Sequence, residues 1–184
     1  ITQLIKFRAC RDVRKVAGDA MEIRGGSGYI EEWLDPKILR DSHLGSIWEG
    51  TSNIISLDTI RALKKDNNIE ALKGYLIKMV QNNLKTEHTK TLLTAIENVF
   101  SFVSKEIDDD FTSSSRQVTS SLYYLCASVF LNSEGEYCES LIPRKKISEL
   151  VIKHKINQSS PLERDNLDRD LINQLFIREL SVPP

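Results

Sequence analysis

The sequence predicts an all-α protein, and three observations lead there. Apolar residues recur at helical spacing through most of the 184 residues. Helix start and stop signals punctuate those stretches. Val, Ile, Thr, Phe, Tyr and Trp nowhere alternate with polar residues long enough to suggest a strand.

Residues 1–24 read as a helix, with Leu4, Ile5, Val13, Val16, Ala17, Ala20 and Met21 near a 3.6-residue period. Arg8, Arg11, Asp12, Arg14 and Lys15 fall mostly between them. Gly25-Gly26-Ser27-Gly28 is expected to end it as a loop, because glycine favours positive φ and close backbone approach. Asp35 as N-cap with Pro36 at N1 starts the next helix, to about Ser46. Glu49-Gly50 breaks the chain, and Thr51 or Ser52 caps a third helix ending near Lys65.

The polar run Lys64-Lys65-Asp66-Asn67-Asn68 marks the expected boundary, dividing the chain into 1–65 and 66–184. Beyond it, helices are expected at about 69–83, 86–107, 114–132, 144–155 and 161–178. Ser160-Pro161-Leu162-Glu163 has the form of a capping box with Pro at N1. Asp108-Asp109-Asp110, Ser113-Ser114-Ser115 and Ser133-Glu134-Gly135-Glu136 read as loops.

Composition narrows the function classes. Apolar residues make up 40% and charged residues 28%, as in ordinary globular domains. No apolar run is long enough to span a membrane. Cys10, Cys126 and Cys138 are odd in number and far apart, which argues against a disulfide scaffold and for a reducing compartment. His43, His88 and His154 are isolated, so no metal site is expected. The net charge of −1 gives no global reason to expect a nucleic-acid partner. Residues 66–184 carry fourteen basic against seventeen acidic residues, and Arg144-Lys145-Lys146 is too short for a nucleic-acid patch. The chain opens at Ile1 inside an apolar-periodic segment and is expected to be the C-terminal part of something longer.

The stretch from Asp19 to Arg61 carries the chemistry. It holds Ala20-Met21-Glu22-Ile23-Arg24-Gly25-Gly26-Ser27-Gly28-Tyr29, then Leu39-Arg40-Asp41, then Ile47-Trp48-Glu49-Gly50-Thr51-Ser52-Asn53-Ile54. This order resembles the end of the acyl-CoA dehydrogenase family: a G-G-x-G-[YF] turn, an R-D pair and an E-G-T carboxylate before the last helix. The resemblance covers about residues 1–65. Trp48, Ile54, Leu57-Asp58 and Arg61 look most like the branch that includes the bacterial alkylation-response AidB proteins. That branch carries an extra helical segment, whose place residues 66–184 fill.

The resemblance implies the end of a C-terminal helical bundle plus a helical extension, with an N-terminal helical domain and a middle β-domain lying outside this chain. It implies FAD held between subunits of a homo-oligomer, a dimer or tetramer, and an acyl-CoA substrate. Glu49 matches the catalytic base, with Trp48 and Gly50 beside the substrate. Thr51, Ser52 and Asn53 match the stretch that contacts FAD, and Glu22, Ile23, Arg24, Gly25 and Gly26 match the turn that meets its ADP half from the neighbouring subunit. Glu22 stands where many members have Gln, and Arg24 where an apolar residue is usual; Arg24 is expected to offset Glu22 by reaching a phosphate oxygen.

Elementary chemistry agrees with those roles. Removing a proton alpha to a thioester carbonyl while a hydride leaves the beta carbon needs one base and one hydride acceptor. A carboxylate serves as the base when removal from water strengthens it, and Ile47, Trp48 and Ile54 offer apolar walls. Flavin accepts the hydride, because no side chain can. The expected function is therefore FAD-dependent α,β-dehydrogenation of an acyl-CoA by the intact protein, in the mitochondrial matrix or the cytoplasm, with the 184-residue piece alone inactive. The alternative is a catalytically retired helical module for assembly, acyl-CoA sequestration or nucleic-acid binding. Arg40-Asp41 and Arg61 read as structural ion pairs, and Cys126 as a small core hydrophobe beside Leu122, Leu125, Val129 and Phe130.

Overall fold

A computed structural model describes residues 1–81, 87–108, 113–137 and 143–158. Every regular element among them is helical, as the periodicity predicts. The elements are α1 (Thr2–Ile23), α2 (Gly26–Tyr29), α3 (Asp35–Leu44), α4 (Ser52–Lys64), α5 (Asn68–Gln81), α6 (Glu87–Asp108), α7 (Ser115–Tyr137), α8 (Arg144–Val151) and a π-helix at Ile152–Ile156. The helix expected at 161–178 and the capping box before it lie outside the described residues, as does Cys138.

The chain forms two compact units. The first joins Ile1–Asn68 to Ser104–Tyr123, so the start of α7 belongs with α1–α4. Leu4 and Phe7 of α1, Ile55, Ile60 and Leu63 of α4, and Val118 and Leu122 of α7 are buried. α1 packs against α3 and α4. Its apolar stripe is only half used: Ile5, Val13 and Val16 are exposed, because α3 and α4 cover only one side of the helix.

The second unit joins Ile69–Val103 to the described residues from Tyr124 onward. Leu76, Val80, Leu92, Ile96, Val99, Phe100, Val103, Leu125, Cys126 and Val129 form its buried core. The apolar row of α6 and the face of α7 that holds Cys126 are therefore core faces. Burial pushes the Cys126 thiol up to about 11.

Three local expectations need correction. Gly25 (φ +60) does end α1, but Gly26–Tyr29 forms a short helix instead of an open loop. Gly28 is buried, and a Cβ there would collide with the Met21 carbonyl oxygen, so the turn folds tightly onto α1. Asp35 is not the N-cap of α3; Leu34 is, and the Asp35 carboxylate is drawn to Arg24 at 3.1 Å. Ser133–Glu136 is helical, because Gly135 lets α8 approach: a Cβ there would meet Lys145 Cγ at 2.8 Å, and Glu134 pairs with Arg144 at 3.2 Å.

Candidate functional site

The candidate base lies in the connection between α3 and α4. After Leu44 the chain continues in tight turns, with the Ile47 and Trp48 N–H groups both donating to the Leu44 carbonyl at 2.9 Å. Glu49 (φ +55) and Gly50 (φ +103) then take consecutive left-handed conformations. Glycine enters this region freely, whereas a residue with a Cβ is strained there by about 1–2 kcal/mol. Such strain persists only where surrounding contacts impose it. Here the contacts come from α1. Lys6 Nζ donates to the Gly45 carbonyl at 2.7 Å and to the Trp48 carbonyl at 3.1 Å. Its ammonium lies 3.9 Å from the Glu49 carboxylate. Ser46 Oγ donates to the Cys10 carbonyl at 2.9 Å, and Gly45 passes so near α1 that a Cβ would meet Cys10 Sγ at 2.9 Å.

The Glu49 side chain is 86% exposed. Trp48, Ile47 and Ile54, expected as walls, are exposed too, so no described residue closes over the carboxylate. Immediately afterwards Thr51 is the N-cap of α4, in extended backbone and without a side-chain capping bond. The first turn of α4 contains no acid. Its N–H groups and partial positive charge suit an acceptor or anion. Ser52 is half-buried and Asn53 exposed.

The second cluster lies at the other end of α1. Glu22, Ile23, Arg24, Gly25 and Gly26 are exposed, and a Cβ on Gly25 or Gly26 would meet nothing within 4 Å, which leaves their backbone open to a ligand. Arg24, expected to reach a phosphate, instead holds Asp35 and stacks 5.0 Å over the Trp33 ring. Sixteen residues separate Lys6 from Glu22, about 24 Å along a helix rising 1.5 Å per residue. The structure thus gathers Trp48–Asn53 in one place and Glu22–Gly26 in another. Open glycine backbone at one and uncapped helix amides at the other both fit the polar contacts that FAD would need.

Two further residues hold the candidate stretch. Lys6 fixes the Glu49 turn, and Arg116 of α7 donates from Nε to Asn53 Oδ1 at 2.6 Å. Neither carries a sequence signal, since each is a lone basic residue far from its target in the chain. Around Arg116 the field is positive. Burial, with repulsion from Arg116, Arg8 and Arg14, pulls Arg11 below its ordinary value, and Asp12 opposes this. Arg40 holds Glu31 through two bonds of 2.7 and 3.0 Å, and Arg61 holds Asp58 at 2.6 Å, as structural pairs.

Within the second unit a cavity of about 430 Å³ is lined by His88, Thr91, Glu149, Ile152, Lys153 and Asn157. His88 Nε2 lies 3.0 Å from Ser148 Oγ, which donates to the Ser128 carbonyl at 2.7 Å. That serine proton is already committed, so the pair is a structural link. Among the described residues no three His, Cys, Asp or Glu side chains could hold a metal, and no helix is long and apolar enough to cross a membrane.

Part of this chain is similar to known proteins. Residues 1–64 match the acyl-CoA dehydrogenase C-terminal domain. "Acyl-CoA dehydrogenase family member 11" of Caenorhabditis elegans is 36% identical over 90 residues, covering 49% of this chain and 15% of the relative. "Putative acyl-CoA dehydrogenase AidB" of Escherichia coli is 42% identical over 64 residues, 35% of this chain and 12% of the relative. Mitochondrial isobutyryl-CoA dehydrogenase of Dictyostelium discoideum is 33% identical over 64 residues, 35% of this chain and 15% of the relative. The chain therefore spans about an eighth to a seventh of the length of these relatives. No solved structure matches it.

Proposed function

We propose, from the match of residues 1–64 to the acyl-CoA dehydrogenase C-terminal domain, that the intact protein removes two hydrogens from the α and β carbons of an acyl-CoA thioester, with Glu49 as base. The observation that carries this is the conformation of Glu49. A strained left-handed glutamate, held by Lys6 and set directly before an uncapped helix, exposes its carboxylate to whatever covers the turn. A glutamate with no task there would give way to glycine at no cost.

In this reading Glu49 accepts the α proton. Its backbone N–H, offered at the same turn, supports the thioester carbonyl as negative charge develops. Gly50 keeps the turn free of a side chain on the substrate side. Thr51, Ser52 and Asn53 hold FAD, and Glu22–Gly26 hold the ADP half of an FAD belonging to a second subunit; the separation of about 24 Å along α1 supports the division between two cofactors. FAD, when bound, supplies the hydride acceptor. The exposed Ile5, Val13 and Val16 of α1 and the exposed Trp48 fit surfaces covered by the other domains or by a second subunit. That cover would also exclude water from Glu49, as a carboxylate base needs. The mitochondrial relative supports the matrix as the compartment.

Glu49→Gln in the intact protein tests the proposal. It should leave FAD content unchanged and slow flavin reduction by acyl-CoA by about 10²–10⁴-fold, the usual contribution of a positioned base. Parental reduction by the Gln variant would move the base elsewhere. The second reading, a retired interaction module, draws on the 86% exposure of the Glu49 side chain; it predicts an intact protein that purifies without flavin.

A further inference from the structure

Helix α7 lies outside the family match, yet its first two residues grip the first two turns of α4. Ser115 Oγ and Ser56 Oγ are 3.2 Å apart and buried, and Ser56 Oγ also donates to the Asn53 carbonyl at 2.8 Å. Arg116 Nε donates to Asn53 Oδ1 at 2.6 Å. One network therefore holds Asn53 by both its backbone and its side chain.

The arginine settles which way the Asn53 amide faces. A guanidinium N–H is only a donor, so the amide atom it meets must be the carbonyl oxygen. The amide NH2 is then turned away from Arg116 as a pair of donors. Among the described residues Arg116 pairs with no carboxylate, although Arg11 beside it is a like charge. A guanidinium kept next to like charge and bonded to a neutral amide is poorly explained by ion-pair stability.

Resting on the reading of Thr51–Asn53 as a cofactor-contact stretch, we infer that Arg116 is a positioning residue for it. Arg116 fixes the Asn53 amide so that its NH2 donors would be free for FAD. The segment beyond the family match thereby becomes part of the cofactor site. Arg116 touches no reacting atom itself and acts through Asn53.

The test is FAD affinity of the intact protein, measured by flavin fluorescence on the apoprotein refilled with FAD, for Arg116→Ala, Arg116→Lys, Asn53→Ala and the Arg116→Ala/Asn53→Ala double variant. Losing one positioned hydrogen bond should raise the FAD dissociation constant about 3–10-fold in each single variant. Arg116→Lys should lose less than Arg116→Ala, because an ammonium can still donate to Asn53 Oδ1, though without the fixed direction of the Nε–H. The double variant should bind no more weakly than Asn53→Ala alone, since the arginine works through the asparagine. Additive losses in the double variant would show that Arg116 acts independently of Asn53. Parental affinity in both Arg116 variants, with Asn53→Ala impaired, would overturn the inference while keeping the cofactor reading. Parental affinity in Asn53→Ala as well would overturn the cofactor reading of that residue, and the inference with it.

Discussion

Lys6→Met isolates the contact that holds the candidate base in place. Methionine keeps most of the length and apolar stem of lysine, so packing along α1 changes little while the three polar contacts vanish. The part-buried bond to the Gly45 carbonyl, 2.7 Å long and made by a charged donor, belongs to the class worth about 1.5–3 kcal/mol. The exposed bond to the Trp48 carbonyl and the loose pair with Glu49 add at most about 0–1 kcal/mol, because water screens both. The variant should therefore lose about 2–3 kcal/mol. At about 2–4 °C per kcal/mol for a chain of this size, the midpoint should fall by about 4–12 °C. Trp33 and Trp48 are the two tryptophans of the sequence, and both lie in the first unit, so tryptophan fluorescence during heating follows that unit alone. A midpoint within 1 °C of the parent would refute the idea that Lys6 imposes the turn. The left-handed Glu49 would then need another cause.

Three more outcomes follow from the same contacts. Gly28→Ala should destabilise the first unit by about 1–3 kcal/mol or more, read by the same fluorescence melt, because the new methyl meets backbone at Met21 that cannot step aside. Burial, reinforced by Lys146 and Lys145 against the opposing pull of Glu149, holds His88 below its ordinary value of 6.5. The folded state thus favours neutral His88, so its contribution is complete above about pH 6.5 and is lost as pH falls through the lowered folded value. Urea unfolding at pH 7.5 and pH 5.5 should show a smaller difference for His88→Gln than for the parent; an unchanged difference would exclude His88 as a source. Cys126, buried and with its thiol pushed up to about 11, should resist iodoacetamide at pH 7.5 until the second unit unfolds, while half-buried Cys10 reacts first. Equal labelling rates by mass spectrometry would contradict the burial.

What the sequence determined by itself was whatever depends on neighbours in the chain. Apolar spacing is a local property, and it located every described helix of eight or more residues, the face of α6 that runs from Leu92 to Val103, and the core role of Cys126. Glu49, Gly50 and the stretch Thr51–Asn53 were singled out by the family resemblance, which a run of consecutive residues in one turn can carry. Tertiary structure decided what depends on residues far apart. Asp35 reads as a cap until Arg24 takes its carboxylate, and Ser133–Glu136 reads as a loop until Gly135 is needed against α8. Val13 and Val16 keep the helical period, but burial depends on which neighbours are present, and α3 and α4 reach only one side of α1. Lys6 and Arg116 were invisible, lying 43 and 63 positions from Glu49 and Asn53, the residues they hold. A hydrogen bond to a carbonyl or an amide leaves no spacing in a sequence, because its range is set by a distance in space.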